Sequence, residues 1–103
     1  MMLSSSVLAQ TVGNLRVEPA QQEVGRTTLV TVECNAGDLI LVEGSVGYFV
    51  VGTGVNGTVG GGARAIYCDG GGNPVVKTMS VQFLCVSAGY ANFVYGSERV
   101  LMT

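Results

Sequence analysis

Hydrophobic residues in this chain recur with a period of two, the spacing of β-strands, and nowhere keep the 3.6-residue period of a helix. The clearest case is Thr27 to Cys34, TTLVTVEC, where Val30, Val32 and Cys34 share one face and Leu29, Thr31 and Glu33 the other. Asn35-Ala36-Gly37-Asp38 then turns the chain into Leu39-Ile40-Leu41-Val42. After the break Glu43-Gly44-Ser45 a second run, Val46 to Val51, carries Tyr48 and Phe49. Two such runs separated by a short Gly/Ser break predict a hairpin. Earlier, Leu15-Arg16-Val17-Glu18 alternates and meets Pro19, which predicts an edge strand ending in a loop. Later, Ala63 to Cys68 predicts one strand, and Val75 to Met79 with Ser80 to Val86 continue as β with a break near Thr78. Val81, Phe83 and Cys85 fall on one face. Tyr90 to Tyr95 and Glu98 to Met102, split by Gly96-Ser97, complete the series.

These runs predict an all-β fold, a small antiparallel β-sandwich or barrel of about eight short strands with an extended N-terminal arm. With 103 residues the chain holds one domain and buries roughly two-thirds of its unfolded surface, enough for a core. Residues 16–103 form that domain and residues 1–15 the arm. The arm is uncharged up to Arg16 and lacks the positive n-region of a secretory signal. It reads either as a segment that docks on a neighbour through Met1, Met2, Leu3, Val7, Leu8, Val12 and Leu15, or as the first strand of the domain's own sheet.

Composition narrows the chemistry. Five basic residues, seven acidic ones and a net charge of −2 provide no electrostatic footprint for nucleic acid and no polybasic membrane patch. So neutral a surface suits a subunit that buries part of it in an assembly. Without histidine most acid–base and triad arrangements are unavailable. The carboxylates are scattered singly, so no catalytic residue and no metal set is expected. Gly52-Thr53-Gly54-Val55-Asn56-Gly57 matches G-x-G-x-x-G after an apolar strand. A dinucleotide site needs a helix starting there, and Thr58-Val59-Gly60-Gly61-Gly62 cannot begin one, so no cofactor is expected. Asn56-Gly57 reads instead as a type I′ turn. Asn56-Gly57-Thr58 also matches the glycosylation sequon, read here as accidental. Cys34, Cys68 and Cys85 each end an apolar run and read as small buried hydrophobes, with one disulfide involving Cys34 as the alternative. Tyr48, Tyr67, Tyr90 and Tyr95 read as sheet-packing residues rather than a carbohydrate-stacking platform.

Two resemblances follow from these residues. The stretch Ala36 to Gly52, AGDLILVEGSVGYFVVG, preceded by an arm and a strand and followed by a glycine-rich stretch, resembles the small decoration, or cement, proteins of tailed bacteriophage capsids. That resemblance implies a non-enzymatic virion protein, assembled in the host cytoplasm, that binds the outside of a coat shell. Its partners would be the major coat protein or neighbouring copies of itself in a homo-oligomer, with no nucleic acid and no membrane. The stretch LRVEPAQQEVGRTTLVTVEC resembles the first two strands of bacterial immunoglobulin-like domains. It implies an extracellular or cell-surface filament subunit joined by strand exchange through residues 1–15.

Overall fold

The computed structural model describes residues 8–70 and 76–103, and all regular structure among them is β. The strands are β1 (Gln10–Val12), β2 (Leu15–Glu18), β3 (Thr27–Asn35), β4 (Leu39–Glu43), β5 (Gly47–Phe49), β6 (Gly57–Gly60), β7 (Ala65–Cys68), β8 (Val76–Cys85), β9 (Ala91–Tyr95) and β10 (Glu98–Met102). They form two five-stranded antiparallel sheets. The first has the order β1-β2-β3-β8-β5 and the second β10-β9-β4-β7-β6. The fold is a β-sandwich.

Period-two patterning places the core. On β3, Thr28, Val30, Val32 and Cys34 are buried, and on β8 Phe83, Val81 and Met79 stand opposite the first three, with Cys85 buried farther along β8 opposite Gly47 of β5. The β3–β8 pairing runs in unbroken register from Thr27 opposite Leu84 to Asn35 opposite Val76. From the second sheet Ile40, Ile66, Phe93, Val100 and Met102 close the core. Phe49 and Phe83 of the first sheet meet Phe93 of the second with centroids 4.9 to 6.0 Å apart. Edge-to-face contacts such as Phe83–Phe93 add to the area these rings bury. The one buried polar side chain in this stretch, Thr28, donates its hydroxyl to the carbonyl of Pro19 at 2.5 Å, which removes the cost of burying it.

Several sequence expectations are corrected. The runs 39–42 and 46–51 are not a hairpin, because β4 pairs with β7 and β9 in the second sheet while β5 pairs with β8 in the first. The chain crosses between sheets at Gly44–Val46, and the guanidinium of Arg64 holds that crossing. It donates to the carbonyls of Gly47 at 2.9 Å and Val42 at 3.1 Å, and also to that of Gly44. The strand at Leu15 is not an edge strand, since β1 covers its outer side. The supposed break near Thr78 is absent, and β8 runs through it. Asn56 has φ +57° but Gly57 already opens β6, so no I′ turn forms there. The Asn56 amide donates to Thr78 O at 3.0 Å. Residues 50–56 carry the chain from the first sheet to the second, with Val55 bridging to Ser80 on the way. The loop expected at Asp69 to Pro74 lies mostly outside the described residues.

The cysteines also divide. Cys34 on β3 and Cys68 on β7 form a disulfide between the two sheets, and Cys85 is a buried free thiol. The small-buried-hydrophobe reading therefore describes Cys85, while the disulfide alternative describes the other two.

Candidate functional site

The side of the sandwich where β1 meets β10 carries the sequence-derived contact residues that the structure describes. Val12 is in register with Leu15, and Gln10 with Val17. Cross-strand partners share a face, so Leu8, Gln10 and Val12 project to the side that Leu15 and Val17 turn toward the core. The second sheet stops at β10 and leaves them uncovered. Leu8 stays 46% and Val12 42% exposed, while Leu15 and Val17 are fully buried. A groove of 280 Å³ results, with Leu8, Val12 and Ala20 on one wall and Arg99, Val100 and Leu101 on the other.

Both ends of the groove are fixed by hydrogen bonds. At one end Asn14 N donates to Glu98 Oε1 at 2.8 Å, and a side chain at position 13 would collide with the same carboxylate. At the other, Ala20 N donates to Leu8 O at 2.8 Å, Thr103 N to Ala20 O at 2.9 Å and Gln22 N to Thr103 O at 3.0 Å. Between them lies the margin of β10. The two-residue turn Gly96-Ser97 makes Tyr95 and Glu98 the hydrogen-bonded pair next to it, followed by Phe93 with Val100 and Ala91 with Met102. The backbone groups of Arg99 and Leu101 therefore point away from β9 and toward the groove. Beside them, Gln21 Oε1 is buried with no hydrogen-bond partner among the described residues, a polar group that costs free energy until a donor reaches it.

Of the seven expected contact residues, Leu8 and Val12 line this groove. Leu15 does not, because it is a core residue of the domain itself, and its expected partner role is withdrawn. Residues 10–12 take the first-strand alternative, with β1 at the margin of the first sheet. Met1, Met2, Leu3 and Val7 lie outside the described residues. The signal that sequence reasoning missed was Leu101, whose alternation with Val100 and Met102 was visible but whose place at a sheet margin was not.

Elsewhere the carboxylate of Asp38 and the phenol of Tyr95 are engaged in structure. Asp38 Oδ2 accepts from Tyr95 Oη at 2.7 Å and from Asn35 N at 3.0 Å. The Tyr95 hydrogen bond, then the Asn35 N–H, hold the Asp38 carboxyl below its ordinary value. Burial first, and the Asp38 hydrogen bond second, push the Tyr95 phenol up to about 12. Among the described residues no three His, Cys, Asp or Glu side chains stand close enough to hold a metal ion, and no helix is long and apolar enough to cross a membrane. No protein-family model, curated protein or solved structure matches this chain.

Proposed function

We propose that this chain is a non-enzymatic structural protein of a virion, a decoration protein that binds the outer surface of a coat shell and stabilises it through contacts between subunits. The observation that carries the reading is the groove at the root of the N-terminal segment. There Leu8, Val12 and Leu101 are exposed together beside a sheet margin and a buried amide oxygen that has no partner among the described residues. Apolar side chains gathered at a strand margin favour docking of another polypeptide, by side-chain burial and by main-chain hydrogen bonds. The partners are the major coat protein or neighbouring copies of the chain.

One observation favours a second reading, an immunoglobulin-like extracellular filament subunit. The Cys34–Cys68 bond joins the two sheets, and disulfides persist in oxidising surroundings. On the virion reading the bond closes after release from the host cytoplasm.

Gradient sedimentation of native material, with mass spectrometry of the fractions, tests both. Co-migration with a nucleic-acid-filled particle and its coat protein is expected. Val12→Asp and Leu101→Asp should release the chain from that particle without lowering its melting temperature. Recovery in a protein-only filament would favour the second reading, and a small free species would overturn both.

A further inference from the structure

A second concave site borders the β1–β10 groove, since Asn92 in its lining stands in register with Leu101 of the groove wall. The connection from β4 to β5 and the one from β8 to β9 meet there and enclose a cleft of 420 Å³, lined by Glu43, Ser45, Tyr90 and Asn92 with Gly44 and Gly89 between them. Tyr90 is not part of β9, which begins at Ala91, and its side chain is 60% exposed. It is therefore not the sheet-packing tyrosine that its sequence position suggests.

The cleft is built rather than incidental. A Cβ at Gly44 would stand 2.7 Å from Tyr90 O, and one at Gly89 2.8 Å from Val46 Cγ1, so the two connections approach closely only because both positions are glycine. Val46 O accepts from Val86 N at 2.7 Å and Ser87 N at 3.1 Å, which ties one connection to the other. Arg64 fixes the first connection from beneath through its carbonyls. Such a site needs little ordering when it binds.

Its chemistry is selective. No lining residue is basic, so nothing attracts phosphate or carboxylate. The one lining acid, Glu43, accepts from Arg99 Nη1 at 2.8 Å through Oε1, which offsets its charge and holds it in place. What remains is an aromatic ring with a free face, an amide that donates and accepts, a hydroxyl and a carboxylate oxygen. That set matches a ligand with an apolar face and a rim of hydroxyls. We propose that the Tyr90 cleft is a binding site for a neutral oligosaccharide, with a pyranose ring stacked on Tyr90 and its hydroxyls held by Asn92, Ser45 and Glu43.

The cleft has its own lining but neighbours the docking groove, whose wall residue Arg99 also holds Glu43. The binding proposed here does not rest on the docking reading. The test is an amide-shift titration of the isotope-labelled full chain with maltohexaose, cellohexaose, chitohexaose and mannohexaose, with decaproline as a ligand of another class. At least one saccharide is expected to shift the amides of Ser45, Tyr90 and Asn92 saturably. Tyr90→Ala should then weaken binding by roughly tenfold or more, the equivalent of about 1.4 kcal/mol. Tyr90→Phe should retain most of the affinity, and Tyr48→Ala, on the other sheet, all of it. No response to any of the four saccharides would overturn the proposal, as would a response unaffected by Tyr90→Ala. Shifts at these amides with decaproline alone would also overturn it, by pointing to a peptide groove.

Discussion

At the scale of single residues, the Asp38–Tyr95 contact links the turn before β4 to the end of β9 and makes stability depend on pH at both extremes. The folded Asp38 carboxyl titrates below its ordinary value. Its contribution is present above about pH 3.9, the value in an unfolded chain, and is lost as pH falls through the lower folded value. For Tyr95 the folded value is raised to about 12 from 10.0. Its contribution is complete below pH 10 and is lost as pH rises toward 12, because the unfolded phenol ionises first. Tyr95→Phe should therefore flatten the alkaline decline in melting temperature and also remove part of the acid-side dependence, because Asp38 loses its donor. An unchanged profile from pH 9 to pH 12 would show that the contact carries no linkage. Cys85 supplies a second residue-scale prediction. It is buried, and burial pushes its thiol up, so it should resist alkylation in the native state. Denatured without reductant, the chain should expose one reactive thiol, and with reductant three.

At the scale of elements, alternation alone located β3, β8, β9 and β10, because each has one face in the core and one toward solvent. It could not tell that β4 and β5 part company. An apolar run, a Gly/Ser break and a second apolar run look alike whether the chain folds back on itself or crosses to the facing sheet. The deciding groups were remote in sequence: Arg64, which holds the crossing, and Leu84, whose carbonyl leaves no room for a side chain at Gly47. Neither announces its partner locally. The Tyr90 cleft was hidden for the same reason, being made of two connections 40-odd positions apart along the chain. Removing the clamp tests this account. Arg64→Ala leaves the carbonyls of Val42, Gly44 and Gly47 without that donor and should cost about 1–3 kcal/mol in urea unfolding. Arg64→Lys should rescue it only in part, because an ammonium cannot present a planar fork to several acceptors. Gly47→Ala should cost a similar 1–3 kcal/mol, through overpacking against Leu84 O and the Phe83 ring.

At the scale of the whole molecule, two different kinds of link hold the sheets face to face. The phenylalanine cluster is a link of packing, with Phe49 and Phe83 from one sheet and Phe93 from the other, all fully buried. The Cys34–Cys68 bond is a link of connectivity, joining positions 34 apart in sequence. In the chain-entropy account a loop of that size removes about 4 kcal/mol of freedom from the unfolded state. Truncating Phe93 to alanine instead empties the centre of the folded state, at about 3–5 kcal/mol. The two losses act on opposite sides of the folding equilibrium and should separate in kinetics. Replacing both Cys34 and Cys68 by alanine should mainly slow folding, because the unfolded ensemble regains its breadth. Phe93→Ala should also speed unfolding, to the extent that its packing forms after the transition state. A domain of ordinary stability, about 5–15 kcal/mol, survives either change alone but stands near its limit with both. If the double-cysteine variant were as stable as the parent, the bond would contribute nothing to the fold.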